Sequence, residues 1–148
     1  MELLSLPSAR WNGKAWVDEN DVEYPSDGVK SLGKCPRRIG LVSQGLVVRG
    51  MAEAVKQLLS RHYTCVIVDE AHRARRRKVP KVDADANEID EKAEPNKVMA
   101  FLREIGPKTK SMLLATATPV QLHPVESWDL LHILSQGNDG VLGGWTQT

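Results

Sequence analysis

The sequence predicts an α/β fold with a parallel sheet and crossover helices. Short apolar, β-branched runs alternate with segments of helical periodicity, in the order strand–helix–strand–helix–strand–helix. This order favours parallel strands joined by right-handed crossovers. Polar groups directly follow the apolar runs, as is typical where parallel strands end at a ligand site. The chain has 148 residues, enough for one domain with its own core.

The first 38 residues are predicted to be largely irregular, because they contain six Pro and Gly residues: Pro7, Gly13, Pro25, Gly28, Gly33 and Pro36. Trp and Val favour strands, so the segment from Trp11 to Trp16 indicates a small hairpin around Gly13. Val22–Leu32 is predicted to be a loop.

The pattern changes after Pro36. Ile39–Ser43 and Leu46–Val48 are apolar and predict a buried strand that runs into a turn. Met51–Arg61 predicts a helix whose apolar face holds Met51, Val55, Leu58 and Leu59. Thr64–Val68 is a short β-branched run, typical of a strand buried on both faces.

The two cysteines indicate neither a disulfide framework nor a zinc site, because Cys35 and Cys65 are far apart and no CxxC spacing is present. Cys65 lies inside the apolar run and is predicted to be a small buried hydrophobe.

Residues 73–94 form a segment of two opposite charges, basic up to Lys81 and acidic after it. The basic run invites a nucleic-acid interpretation, since clustered Lys and Arg gain affinity by releasing counterions. Its own acidic half neutralises it, and the segment has little to bury. We therefore favour a mobile, solvated surface insertion.

The last third of the chain predicts two helices around a strand. Pro95 opens a helix that Gly106-Pro107 ends, and its apolar face comprises Val98, Phe101, Leu102 and Ile105. Ser111–Ala115 predicts a third buried strand. Pro124–Leu134 predicts a helix with Trp128 inward, and residues 136–148, rich in Gly, predict a frayed tail.

Three polar groups fall at the predicted strand ends: Ser43-Gln44, Asp69-Glu70 and Thr116-Ala117-Thr118. Because parallel strands end at the same edge of a sheet, we expect all three groups on one edge.

Asp69 and Glu70 have a specific chemical use in this position. The first carboxylate can hold Mg²⁺ beside the phosphates of a nucleotide, and the second can orient and deprotonate the water that attacks the terminal phosphate. His72 lies three residues beyond Asp69, placed to relay the nucleotide state. The alternative is a solvated turn with a chance Asp-Glu pair, which the apolar strand before it and Ala71-His72 after it disfavour.

The segment Val66–Arg73, containing Asp-Glu-Ala-His, resembles motif II of superfamily-two DEAH-type helicases, and Leu113–Pro119 resembles their motif III. The spelling Thr-Ala-Thr-Pro, followed by a Trp-Asp-Leu-Leu helix, is most similar to bacterial Swi/Snf-type translocases. Ile39–Leu46 resembles motif Ib more weakly, and a buried strand followed by a polar turn explains it nearly as well.

The resemblance implies a partial RecA-like three-layer fold. Residues 36–135 would be the C-terminal half of the first motor domain, and residues 1–35 a family-specific insertion. Asp69 and Glu70 would act on Mg-ATP, while His72, Thr116, Ala117 and Thr118 would couple hydrolysis to movement along DNA. Ser43 and Gln44 would contact the nucleic-acid backbone, which positions without reading sequence.

A phosphate loop is nearly spelled by Gly28–Cys35, but we reject it. Cys35 replaces the hydroxyl that should bind Mg²⁺, and Pro36 stands where the first helical turn needs free N–H groups. No apolar strand precedes Gly28. We therefore expect a fragment of an ATP-dependent DNA helicase or translocase that does not hydrolyse ATP by itself.

Two alternatives stay open: a motor-subunit fragment of a restriction-type enzyme, and a degenerate, non-catalytic RecA-like scaffold. The net charge of +1 indicates no bulk attraction to nucleic acid, so any DNA contact must use local charge. The amino terminus lacks the pattern of a signal peptide, and no membrane helix is predicted, so we expect a cytoplasmic location.

Overall fold

The computed structural model describes residues 6–49, 52–75, 94–117, 125–136, 138 and 140–141. The chain divides into two compact units, Met1–His62 and Tyr63–Thr148. The predicted boundary between residues 35 and 36 lies inside the first unit. Both units contain strands and helices, so a mixed α/β structure with small sheets is confirmed. No described helix is both long and apolar enough to cross a membrane.

The first unit begins with the hairpin expected around Gly13. Strand β1 (Ser8–Trp11) pairs antiparallel with β2 (Trp16–Asp18), and Trp11 lies opposite Trp16. The Asn12 carboxamide oxygen accepts the N–H groups of Lys14 and Ala15, each at 2.9 Å, and Gly13 has a φ of +104°. An Asx turn and a glycine with positive φ thus close the hairpin.

Strand β3 (Ile39–Leu41) pairs parallel with β1, so the sheet order is β2-β1-β3. The prediction that this strand is buried is wrong, because β3 is an edge strand and Leu41 is 57% exposed. The predicted extended run Leu46–Val48 is also wrong: Gly45–Val48 forms the short helix α1, which buries Leu46 and Val47. Its first turn is closed by the Val48 N–H, which donates to the Gln44 carbonyl at 3.0 Å.

Helix α2 (Ala52–Leu59) confirms the predicted helix with shorter bounds, and it buries Ala54 completely. The core of this unit also contains the two tryptophans, whose rings meet edge to face with centroids 5.5 Å apart. The buried Trp16 Nε1 donates to the Ser31 carbonyl at 3.1 Å. The buried core comprises Ala9, Trp11, Trp16, Leu32, Leu46 and Ala54.

The second unit contains the predicted parallel pair with a helical crossover. Strand β4 (Tyr63–Val68) pairs with β5 (Thr109–Leu114), and Val68 lies opposite Leu114. Helix α3 (Lys97–Ile105) connects them, and α4 (Val125–Leu134) follows β5.

The prediction that Pro95 opens helix α3 is wrong by two residues, because Asn96 is the N-cap and the helix begins at Lys97. The Asn96 side-chain oxygen accepts the Met99 N–H at 2.9 Å, as N-cap residues do. The buried face contains Met99 where Phe101 was predicted, and Phe101 is half-buried. Gly106–Lys108 forms a 3₁₀ turn that ends the helix.

Three burial predictions for this unit are wrong. Cys65 is exposed rather than buried, and on the same face Ile67 is 68% and Leu113 is 56% exposed. The described residues thus pack one face of the two strands, the face on which Val68 is buried. In α4, Trp128 is 39% exposed, while Ile133 is fully buried.

Several predictions fall outside the described residues: Met51, Thr118, Pro124, residues 76–93 of the predicted insertion and most of the predicted tail. The structure describes residues 73–75 of that insertion, and they do not form the solvated loop that was predicted. Arg73 ends a 3₁₀ turn and Ala74 is buried.

Candidate active site at the end of strand β4

The acid pair Asp69-Glu70 directly follows β4, where the parallel ladder continues for one more step. The Ala115 N–H donates to the Val68 carbonyl at 2.8 Å, and the Ala71 N–H donates to the Ala115 carbonyl at 2.9 Å. These two bonds clamp the backbone on both sides of the acid pair against the end of β5. They therefore fix the predicted acid box beside Thr116, as the sequence led us to expect.

Glu70 has a left-handed backbone, with φ of 51° and ψ of 44°. This conformation costs a non-glycine residue about 1 kcal/mol. The Glu70 N–H donates to Asp69 Oδ1 at 2.9 Å, and the next residue, Ala71, is fully buried. The chain thus turns sharply after the strand and leaves the Glu70 side chain 52% exposed.

His72 joins the two predicted motifs. Its Nδ1 lies 3.1 Å from Thr116 Oγ1 and 3.2 Å from Glu70 Oε2. An Nδ1 that carries a proton can donate to the Glu70 carboxylate, whereas a bare Nδ1 can accept the Thr116 hydroxyl. The Glu70 carboxylate requires a proton on Nδ1, whereas the Thr116 hydroxyl can accept from a protonated Nδ1 or donate to a bare one, so one ring nitrogen contacts both groups.

The turn after the acid box is held by Asn96, a residue that sequence reasoning did not single out. Its Nδ2 donates to the Arg73 carbonyl at 2.6 Å, and its backbone N–H donates to the Arg75 carbonyl at 3.0 Å. Since its side-chain oxygen also caps α3, one side chain ties the turn to the helix. An Asn just before an apolar helical run was the available signal.

Helix α4 contacts the same turn through Glu126. Glu126 is 8% exposed and lies 3.5 Å from the Arg75 guanidinium, measured from Oε1 to Nη1. Asp129, one helical turn later, is 1% exposed. The spacing of three residues places both carboxylates on one helix face, a pattern that polar residues at strand ends do not reveal.

Ser43 and Gln44 do not share a sheet with the acid box, so the expectation of one common edge is wrong. They follow β3, which pairs with β1 of the first unit, whereas the acid box follows β4 of the second. Ser43 is exposed and its Oγ accepts the Gly45 N–H at 3.1 Å, while Gln44 is half-buried. Apolar runs predict strands, but they do not encode which strands pair.

The segment Gly28–Cys35 differs from a phosphate loop in its geometry. Gly28–Ser31 forms a 3₁₀ turn, Ser31 and Leu32 are buried, and the next element is strand β3 rather than a helix. A phosphate loop instead leads into a helix whose first N–H groups hold the phosphates.

The donor set suits Mg²⁺ that arrives with a nucleotide. Mg²⁺ in phosphate sites is commonly held by one or two carboxylates plus waters and phosphate oxygens, and Asp69 and Glu70 are hard oxygen donors accessible from solvent. Within the described part of the chain, no group of three or more His, Cys, Asp or Glu residues is arranged to hold a metal ion.

Comparison with known proteins gave no match to a protein-family model, a curated protein or a solved structure.

Proposed function

We propose that this chain is part of an ATP-dependent DNA helicase or translocase of the Swi/Snf type, with Asp69-Glu70-Ala71-His72 as its Mg-ATP acid box. The observation that carries the proposal is the position of His72, whose Nδ1 lies within 3.2 Å of both Glu70 and Thr116. A chance Asp-Glu turn has no need of a histidine shared with the next strand end. This contact favours the motor over a degenerate scaffold, but a restriction-type motor subunit carries the same motifs.

Each residue of the site has a distinct role in this proposal. Asp69 holds the Mg²⁺ ion, which when bound neutralises charge on the ATP phosphates. Glu70 orients the attacking water and accepts its proton, a role that its half-exposed carboxylate at the strand end can fill. His72 and Thr116, with the neighbouring Ala117 and Thr118, relay the state of the site to the nucleic-acid site.

The proposal also extends to the fold and to the location in the cell. A RecA-like three-layer fold, of which residues 36–135 would form part, covers both faces of its parallel strands, and the exposed Ile67 and Leu113 mark the face that such a cover would occupy. DNA would be contacted through Ser43 and Gln44. The setting we propose is the cytoplasm.

Hydrolysis of ATP stimulated by DNA, measured on the intact protein, tests the proposal. We expect Glu70→Gln to lower kcat by about 10²- to 10⁴-fold, because the amide cannot accept the proton of the attacking water. Nucleotide binding should persist. The 148-residue chain alone should show no hydrolysis, since it offers no phosphate loop that we recognise.

Glu19→Gln is a matched control, because Glu19 is also the second acid of an Asp-Glu pair at a strand end. We expect it to change kcat less than about twofold, within the small effect usual for substitutions away from a site. Unchanged hydrolysis in Glu70→Gln would contradict the proposal and favour the scaffold.

A further inference from the structure

Helix α4 buries a carboxylate beside the turn that follows the acid box. Glu126 lies in the first turn of α4 and is buried, and the helix packs against the 3₁₀ turn Ala71–Arg73. A glutamate is almost never buried this deeply unless it is paired, because burial removes the hydration of its charge. The cation beside Glu126 is Arg75, whose Nη1 lies 3.5 Å from Oε1. The ion pair therefore joins α4 to the segment that leaves the acid box.

The stability of the fold does not by itself explain this ion pair. Replacing a buried pair with well-packed apolar residues is often neutral or stabilising, whereas removing one partner leaves a charge without compensation. The Arg75 side chain is 44% exposed, so the pair lies at the edge of the core, where water weakens the attraction between the two charges. Buried ionic groups can instead fix one specific arrangement of the segments that they join. The arrangement fixed here is that of α4 and the turn after the acid box.

The turn that connects Arg75 to Glu70 has little freedom to bend. The Arg73 N–H donates to the Glu70 carbonyl at 3.1 Å. The Ala74 N–H donates to the Ala71 carbonyl at 2.9 Å, and both alanines are buried. Close packing around the two methyl groups leaves the turn no space to shift independently of its neighbours. A displacement of Arg75 therefore also displaces Glu70.

The backbone of Glu70 depends on support from both sides. Its left-handed conformation, with φ of 51°, persists only where the surrounding structure holds it. On the strand side, hydrogen bonds to Ala115 hold the backbone before and after the acid pair. On the far side, Asn96 holds the backbone carbonyl of Arg75, and Glu126 holds the Arg75 guanidinium. Within the described part of the chain, that guanidinium has no other carboxylate partner.

We propose that Glu126 is a positioning residue for the acid box, which acts through Arg75 and the buried turn to hold the Glu70 carboxylate where it meets the attacking water. The inference rests on the proposed function, in which Glu70 activates that water. Glu126 takes no part in proton transfer. Since α4 follows Thr116 along the chain, the ion pair is a second connection between the acid box and the segment after the next strand, separate from the contact through His72.

Hydrolysis of ATP by the intact protein at saturating DNA tests the role of the ion pair. Glu126→Gln keeps the shape of the side chain and removes its charge. We expect kcat to fall at least about fivefold while KM for ATP changes less than about twofold, because a displaced catalytic group slows the chemical step more than it weakens binding. Arg75→Ala should have the same effect. The double variant should be no slower than either single variant, since all three lack one shared interaction.

Two further variants serve as controls. Arg75→Lys keeps a cation beside Glu126 and should restore most of kcat. Glu104→Gln is the matched control, because Glu104 is an exposed glutamate on the neighbouring helix α3, and it should change kcat less than about twofold. In NMR spectra of the 148-residue chain, the amide signals of Glu70 and His72 should shift in Glu126→Gln and Arg75→Ala and stay in place in Glu104→Gln.

Parental kcat in Arg75→Ala would overturn the inference, and so would unshifted Glu70 and His72 signals in both variants of the pair. An additive loss in the double variant would also overturn it, because the two residues would then act independently. If Glu126→Gln melts below the assay temperature, Arg75→Ala decides the question, since its side chain is 44% exposed. If Glu70→Gln abolishes hydrolysis while Arg75→Ala hydrolyses ATP like the parent, the positioning role is wrong and the acid box stands. Normal hydrolysis in Glu70→Gln would instead contradict the proposed function itself.

Discussion

Two Asp-Glu pairs lie at the ends of described strands, and their surroundings differ. Asp18-Glu19 closes β2, and the Asp18 side chain is 3% exposed. It accepts the N–H groups of Asn20 and Val22 at 2.9 and 3.0 Å and lies 2.7 Å from the Arg37 guanidinium. Asp69-Glu70 follows β4, and the Glu70 side chain is 52% exposed, with His72 beside it.

The electrostatics of the first pair follow from its partners. Burial acts to raise the pKa of Asp18, but the N–H groups of Val22 and Asn20, the Tyr24 hydroxyl and the Arg37 charge together hold that pKa below its usual value. Hydrogen bonding from its own N–H, and then from Arg37, also lowers the pKa of Glu19. The first pair therefore stabilises the turn that follows β2. An acid pair after a strand therefore becomes a candidate for catalysis only when its surroundings leave a carboxylate accessible.

The largest effect on stability is expected from the core beneath the first pair. Trp16→Ala removes a ring that is 4% exposed and should lower the free energy of unfolding by about 3–5 kcal/mol. Hydrogen exchange should show loss of protection in β1 and β2, with β4 and β5 unchanged. Trp128→Ala is the control in the second unit, because that residue is 39% exposed, and it should cost less, about 1–2 kcal/mol. Equal loss of protection in β4 and β5 would show that both pairs depend on one core.

A smaller effect is expected from Asn96, which holds the turn after the second pair. Asn96→Ala loses the cap of α3 and the bond to the Arg73 carbonyl, and should lower the free energy of unfolding by about 1–2 kcal/mol. Asn96→Asp keeps a capping oxygen but cannot donate to that carbonyl. In urea unfolding, the stability of Asn96→Asp should lie between those of the parent chain and Asn96→Ala. If Asn96→Asp were as stable as the parent, the bond from Asn96 Nδ2 to the Arg73 carbonyl would contribute nothing to stability.

The smallest effect is the acid dependence of the first pair. The folded-state pKa of Asp18 lies below its unfolded value of about 4, so the unfolded chain binds the proton more readily. The stabilisation is complete above the unfolded pKa and is lost as the pH falls through the folded pKa. We expect Asp18→Asn to flatten the decline in melting temperature on acidification from about pH 5. The same decline in parent and variant would contradict the assignment.

Local patterns predicted much of the second unit. The β-branched run Thr64–Val68 and the spacing of Val98, Leu102 and Ile105 are set by contacts within one element, so β4 and α3 were found. The adjacency of Thr116 to the acid box was also expected, because neighbouring parallel strands end together. The hydrogen bond from the next ladder step, at Ala71, is the physical reason that this expectation is correct.

The pairing of strands that are distant in sequence could not be predicted from these local patterns. Nothing in Ile39–Leu41 specifies that β3 pairs with β1, and the burial of Trp11 and Trp16 depends on Leu32 and Leu46 from later segments. The exposed face of β4 was also mispredicted, because burial was expected there. An apolar run such as Val66-Ile67-Val68 predicts burial on both faces, and the described residues provide packing for one.

The most direct test of the link between the acid box and the next strand is Thr116→Val in the intact protein, which removes the hydroxyl that meets His72 at 3.1 Å while keeping the shape of the side chain. We predict that hydrolysis of ATP without DNA stays near the parent rate, while stimulation by DNA falls at least about fivefold, the lower end of a typical coupling between sites. Thr116→Ser should restore the stimulation. Full DNA stimulation in Thr116→Val would contradict the claim that His72 relays the state of the acid box through Thr116.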